Sequence, residues 1–334
     1  MEQTEFLYKT GIQSLSKSKL AYTKIGDQEF LEGRWGPNIW AKGGCMLGIS
    51  GQVKLMKTAE KILVEDIRGF KKSEDQLPIQ STISNEDFLG SAMVDRLESA
   101  TYYALFIGIE NYENEGVTPL DQPIDDAGRL MKVLNEKYHF KEANTVFLKN
   151  PDRSEIIENF EILTQQVKPE DQVLIFYAGH GIWDANLEQG YWLPVNASLE
   201  SKANWLSNST IRDYLRGIKS KHTLLITDAC FSGGILKERS VFQNSRAMLE
   251  LYKMPSRKAI TSGTLTTVPD KSVFVKYLIS NLENNESPML SASELFGKFK
   301  IAVINNSPNG QVPQYGVISQ AGDEGGEFIF YNSN

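Results

Sequence analysis

Two residues of this chain have side chains and settings suited to nucleophilic chemistry. His180 stands between two glycines in "YAGHG" (177–181), and Cys230 follows fifty residues later in "DACFSGG" (228–234). Each comes just after an apolar run, "VLIFY" and "TLLIT", that reads as a buried strand. A free thiol is mostly protonated at neutral pH, and an imidazole beside it can take the proton or stabilise the thiolate. Open α/β sheets place their ligands at the carboxyl ends of strands. If the two strands are neighbours, histidine and cysteine meet at one sheet edge as two halves of an active site. Gly179 and Gly181 are expected to take positive φ and to let a substrate approach closely. The N–H groups of Gly181 and Cys230 are expected to face a developing oxyanion. His139, near a helix end, and His222, ahead of a strand, are read as structural.

The elements that must position this pair alternate regularly from Tyr102 onward. Strands are predicted over 102–108, 144–149, 171–179, 222–229 and 257–263, with a closing strand over 326–331. Helices are predicted over 121–138, with Asp121 as N-cap, and over 152–167, where Asp152 and Glu155 suit a capping box. Further helices are predicted over 207–218, 271–283 and 291–304. Near-continuous apolar strands alternating with amphipathic helices imply an α/β fold, a mostly parallel sheet with helices on both faces. Residues 1–98 are richer in Gly, Lys and Ser with weak periodicity, and are read as a small β-rich N-terminal segment.

Composition narrows the function classes. The chain has 334 residues, a net charge of −7 and a pI of about 5.3, which argues against a nucleic-acid partner. Two cysteines, Cys45 and Cys230, make neither a disulfide framework nor a zinc site, so the metal expectation is none. The first residues lack an apolar signal core, and no apolar run approaches the roughly eighteen residues of a membrane span. The expectation is a cytoplasmic protein with no membrane partner.

The paired motifs resemble those of the caspase-type cysteine peptidases, and the metacaspase and bacterial caspase-like branch most closely. "ALFIGIENYENEG" with "LDQPIDDAGRLMKVL" is similar to that family's first strand, loop and helix. "AITSGTLTTVPDKSVFVKYL" is similar to the start of its small subunit, and "PQYGVISQAGDEGGEFIF" to its C-terminal strand. The resemblance spans residues 100 to 332. It departs at Phe231, where metacaspases commonly carry His, and at Ala178, where they commonly carry Ser; neither removes a catalytic group. It implies a caspase-like fold divided into 99–235 (large-subunit-like), a linker 236–256 and 257–334 (small-subunit-like). It also implies an endopeptidase with Cys230 as nucleophile and His180 as base. The other reading is a catalytically idle scaffold that binds partners through its N-terminal segment.

Specificity follows the same route. Asp228, two residues before Cys230 on a strand, shares its face. A carboxylate so close to a thiol disfavours the thiolate unless it has another role. The resemblance supplies one: Asp228 and Asp126 line the S1 pocket and bind a basic P1 residue, Arg above Lys, since two carboxylates suit a bidentate guanidinium. The arginines with which true caspases bind P1 Asp have no counterpart motif here. The resemblance further implies self-cleavage in the basic stretch 233–258, where Lys237, Arg239, Arg246, Lys253 and Arg257 fit a basic P1. No cofactor is required. Calcium activation is a family trait, but acids scattered over 110–115 and 184–188 lack an EF-hand spacing. "GGCMLGISGQVKLMKTAEKILVEDIRGFKK" (43–72) faintly resembles the first strands of a Hint or intein-type domain, with Cys45 as nucleophile. No histidine precedes residue 139, so a pro-domain or partner-recognition role fits 1–98 better.

Overall fold

A computed structural model gives the architecture. It describes the backbone of residues 20–25, 28–35, 39–41, 44–46, 51–58 and 61–65. It then describes 93–229, 249, 251–263, 271–308 and 310–332, with the backbone alone of 236–238. The chain divides into two units, Met1–Ser81 and Thr82–Asn334.

In the first unit, strands β1 (Leu20–Ile25), β2 (Gln28–Trp35), β5 (Gly51–Thr58) and β6 (Lys61–Glu65) form an antiparallel sheet in the order β1-β2-β5-β6. Strands β3 (Ile39–Ala41) and β4 (Gly44–Met46) pair separately, with Cys45 opposite Trp40.

The second unit starts ahead of the boundary expected near residue 98. Helix α1 (93–99) buries Met93 and Leu97 in the main core, so it belongs to this unit. Strands β7 (Tyr102–Gly108), β8 (Phe140–Lys149), β9 (Gln172–Ala178), β13 (His222–Asp228) and β15 (Ser256–Thr261) are mutually parallel. Strand β17 (Gln314–Ile318) pairs antiparallel with β15, and β14 (Leu236–Glu238) pairs antiparallel with β17, giving the order β14-β17-β15-β13-β9-β7-β8. Every residue of β9 and β13 is buried. Each aliphatic side chain so covered contributes about 2 kcal/mol, which places both strands in the sheet interior.

Period two sorts the strand residues onto two faces. Phe106, Phe176, Leu224 and Ile226 join α1, α2 (Pro123–Lys137), α5 (Val273–Glu283) and α6 (Ala292–Asn306). Ile107, Ile175, Tyr177 and Leu225 join α3 (Arg153–Gln166) and α4 (Asn208–Gly217). Asp152 and Glu155 form the expected capping box on α3, and Ser291 Oγ accepts from Glu294 N–H on α6.

One local expectation shifts, and two further features appear. The N-cap of α2 is Gln122, not Asp121, because Pro123 occupies the first helical position, where its missing N–H costs nothing. A small antiparallel sheet, β10 (Gly181–Asp184), β11 (Gln189–Trp192) and β12 (Leu206–Ser207), follows His180. The closing strand β18 (Ile329–Tyr331) pairs with β16 (Met289–Ser291), away from the large sheet.

Candidate active site

The strands carrying the two motifs are neighbours: β13 pairs with β9 in parallel, with Asp228 level with Ala178. His180 therefore lies just past the carboxyl end of β9, beside the end of β13. Cys230 lies outside the described residues; Ala229, one residue before it, is buried.

The half-buried His180 is held from three sides. Its ring Nε2 lies 2.7 Å from the Thr118 carbonyl oxygen. A carbonyl only accepts, so Nε2 carries the hydrogen and Nδ1 keeps the lone pair that can take a proton. The His180 N–H donates to Tyr112 Oη at 2.9 Å, and the Tyr112 ring lies 5.1 Å from the imidazole. The His180 carbonyl accepts from Leu193 N–H at 3.1 Å and from Tyr177 Oη at 2.6 Å. Thr118 is fixed by its loop. Val117 packs with Leu193, Ala197 and Trp205, and the N–H groups of Glu110 and Asn111 donate to Asn150 Oδ1. Asn150 takes φ +49°, a left-handed conformation that asparagine tolerates better than most residues.

The expected reason for the glycines changes. Neither Gly179 nor Gly181 has positive φ; the described glycines that do are Gly310, Gly322 and Gly325. Gly179 is required by space: a Cβ there would come within 2.9 Å of Tyr177 Oη and 3.3 Å of Ile109 Cβ. Gly181 opens β10 opposite Trp192.

The two acids come together on the α2 face of the sheet. Asp228 ends β13 in the alternation of Leu224 and Ile226, and Asp126 lies in the first turn of α2. Gly108 allows the approach of α2, since a Cβ there would meet Ile124 Cα and the Pro123 carbonyl at 2.9 Å. Both carboxylates are buried. Burial pushes Asp228 up to about 6, partly offset by the Ser272 hydroxyl. Asp126 is also pushed up to about 6, by burial and then by the negative charge of Asp228, against a lowering pull from Arg129. Arg129 Nη1 lies 3.4 Å from Asp126 Oδ1 and is itself half exposed. Asp228 Oδ1 and Ser262 Oγ are buried without a hydrogen-bond partner. This site holds buried negative charge and orphaned polar atoms, so a cation with several N–H donors would satisfy both.

The basic linker candidates fall in different settings. Lys237 lies in β14, opposite Val317 of β17. Arg239 and Arg246 lie outside the described residues. Lys253 is exposed on a helical turn whose Leu249 and Tyr252 are core residues, so the stretch is not all loop. Arg257 is corrected: it is buried in β15, and its guanidinium donates to the carbonyls of Leu215, Ile218, Ser220, Lys221 and Ser256. It holds the end of α4 against the sheet and is not a residue of an exposed loop. His222 is structural, buried between Ser256 Oγ and the Tyr252 carbonyl, and burial pushes it down to about 3. No group of three or more His, Cys, Asp or Glu side chains among the described residues could hold a metal ion.

Sequence reasoning missed Thr118, Tyr112 and Tyr177. Thr118 acts through its main chain, which leaves no residue-type signal, and Tyr112 is brought in by a long loop. Tyr177 was within reach, since it opens the same five-residue motif as His180.

The model of the caspase domain matches residues 101–320. Among solved structures, a structural-genomics protein of Geobacter sulfurreducens is 16% identical with a TM-score of 0.46, over 64% of this chain and 92% of that one. Caspase-1 from Spodoptera frugiperda is 15% identical with a TM-score of 0.47, over 66% of this chain and 87% of that one. No curated protein matches the sequence. The caspase-domain match takes in more than half of the chain, both motifs and the strands that carry them, so the chain belongs to the caspase-domain family of cysteine peptidases.

Proposed function

We propose that this chain is a cysteine endopeptidase that cleaves after Arg, and less well after Lys, through a Cys230–His180 dyad. His180 Nδ1 takes the Cys230 proton, and the imidazolium so formed keeps its Nε2–H on the Thr118 carbonyl. The thiolate attacks the scissile carbonyl, and the N–H groups of Gly181 and Cys230 receive the oxyanion. His180 returns the proton to the leaving amine, and water then hydrolyses the thioester.

The observation that carries the specificity is the buried Asp126–Asp228 pair, with Asp228 Oδ1 unpartnered. A P1 guanidinium donates to both carboxylates and relieves their repulsion. A P1 carboxylate would add a third like charge.

The remaining roles rest on the family resemblance. Self-processing is proposed at Lys237, Arg239, Arg246 and Lys253, with Arg257 excluded by its burial. Cutting at Lys237 requires β14 to leave β17, because a peptidase holds its substrate as an extended strand. Calcium activation and a regulatory partner for residues 1–98 belong to the same proposal.

The test is a set of fluorogenic peptides that differ only at P1, assayed with and without calcium. Arg above Lys, with Asp uncleaved, is expected. Faster cleavage after Asp would refute the acidic pocket. No cleavage of any peptide, by protein whose Cys230 remains a free thiol, would favour the idle scaffold.

A further inference from the structure

We propose that Tyr177 is the positioning residue of the base: its hydroxyl holds the His180 main chain so that the imidazole keeps its place on the Thr118 carbonyl. The inference rests on the reading of His180 as the base.

Tyr177 is the penultimate residue of β9, and its side chain is fully buried on the α3–α4 face. Its ring stacks on Trp192 of β11, with centroids 4.1 Å apart and planes 6° apart. That stack fixes where the hydroxyl can point. The hydroxyl reaches under the turn and donates to the His180 carbonyl at 2.6 Å. The turn is thus tied from below by a side chain three residues earlier in the same motif. Gly179 fits this arrangement, because the space its Cβ would take is filled by the Tyr177 hydroxyl. The spacing of "YAGHG" follows: a tyrosine to tie the turn, a glycine to make room, and the histidine whose carbonyl is tied. Tyr112 completes the clamp from the other side by accepting the His180 N–H.

Tyr177→Phe removes one oxygen and keeps the ring stacked on Trp192. The His180 carbonyl still accepts from Leu193 N–H, and the buried Leu193 carbonyl loses only a long contact of 3.5 Å, so the fold should survive. What is lost is the restraint on the turn, and small displacements of a catalytic group cost rate steeply.

The measurement is the rate of Cys230 alkylation by iodoacetamide against pH in the full chain, read on the Cys230 peptide by mass spectrometry. It needs no turnover, and Cys45 does not interfere. His180→Ala should slow alkylation near neutral pH, and an unchanged rate would overturn the dyad and the present assignment together. With that slowing observed, Tyr177→Phe should move the pH profile part of the way toward that of His180→Ala. Its kcat on an Arg peptide should fall about tenfold with KM unchanged. In the His180→Ala background, Tyr177→Phe should change the alkylation profile no further. A wild-type profile in Tyr177→Phe, or an equal loss in both backgrounds, overturns the assignment and leaves the dyad standing.

Discussion

Replacing Asp228 with Asn should stabilise the protein and disable it at once. The Asp228 carboxyl is buried and raised from 3.8 to about 6. A raised carboxylate pKa means that the folded state resists ionisation. The cost is absent below about pH 4, grows as pH rises through the folded value near 6, and is complete above it. A shift of about two units at about 1.4 kcal/mol per unit gives about 3 kcal/mol at neutral pH. An Asn amide also leaves a polar atom short of partners, which takes back about 1 kcal/mol. Asp228→Asn is therefore expected to gain about 2 kcal/mol at pH 8, a rise in Tm of roughly 4–8 °C for a unit of this size. Near pH 4 the gain should vanish. Hydrolysis of an Arg peptide should fall on the order of 100-fold or more, because half of the guanidinium's counter-charge is gone. The assay pairs thermal melts of wild type and Asp228→Asn from pH 4 to 8 with kcat/KM on the Arg substrate. A Tm difference that is negative at pH 8, or independent of pH, would refute the claim that this carboxylate is held buried against its own charge.

Cys230→Ala should abolish cleavage and His180→Ala should reduce it by roughly three orders of magnitude or more, whereas Cys45→Ala should leave an external peptide cleaved at the normal rate. Arg257→Met should destabilise the fold by about 3 kcal/mol or more, since five carbonyls lose one buried donor group; denaturant titration reads this directly. Gly108→Ala should lower both stability and Arg cleavage, because its Cβ meets backbone atoms of α2 that cannot step aside and the displaced helix carries Asp126. His222 is pushed down to about 3 from 6.5, so it should cost stability as pH falls through about 6.5 and toward 3. Replacing it with Gln should flatten that limb of the melting profile.

Much of the site was legible because it follows from one-dimensional pattern. Apolar runs of buried-strand length gave β9 and β13, and the abrupt glycines after them marked the carboxyl ends of both strands, where open α/β sheets place ligands. Period two placed Asp228 in the alternation of Leu224 and Ile226. What the pattern could not supply was anything carried by main-chain atoms or by shape. Gly179 and Gly181 read as residues for positive φ, yet Gly179 is needed for room beneath a tyrosine, a fact of packing between residues two apart. Arg257 read as one more cation in a basic loop; hydrogen bonding to five carbonyls from a buried strand is a property of the folded sheet. The strand pairing that sets β13 beside β9, the approach of α2 that joins Asp126 to Asp228, and the Thr118 carbonyl that fixes the His180 tautomer all join residues far apart in sequence. Residue types fix which chemistry is available through their own pKa values and donors. Only tertiary structure decides which groups share a low-dielectric site, because desolvation and Coulomb energy depend on distance and burial rather than on order along the chain.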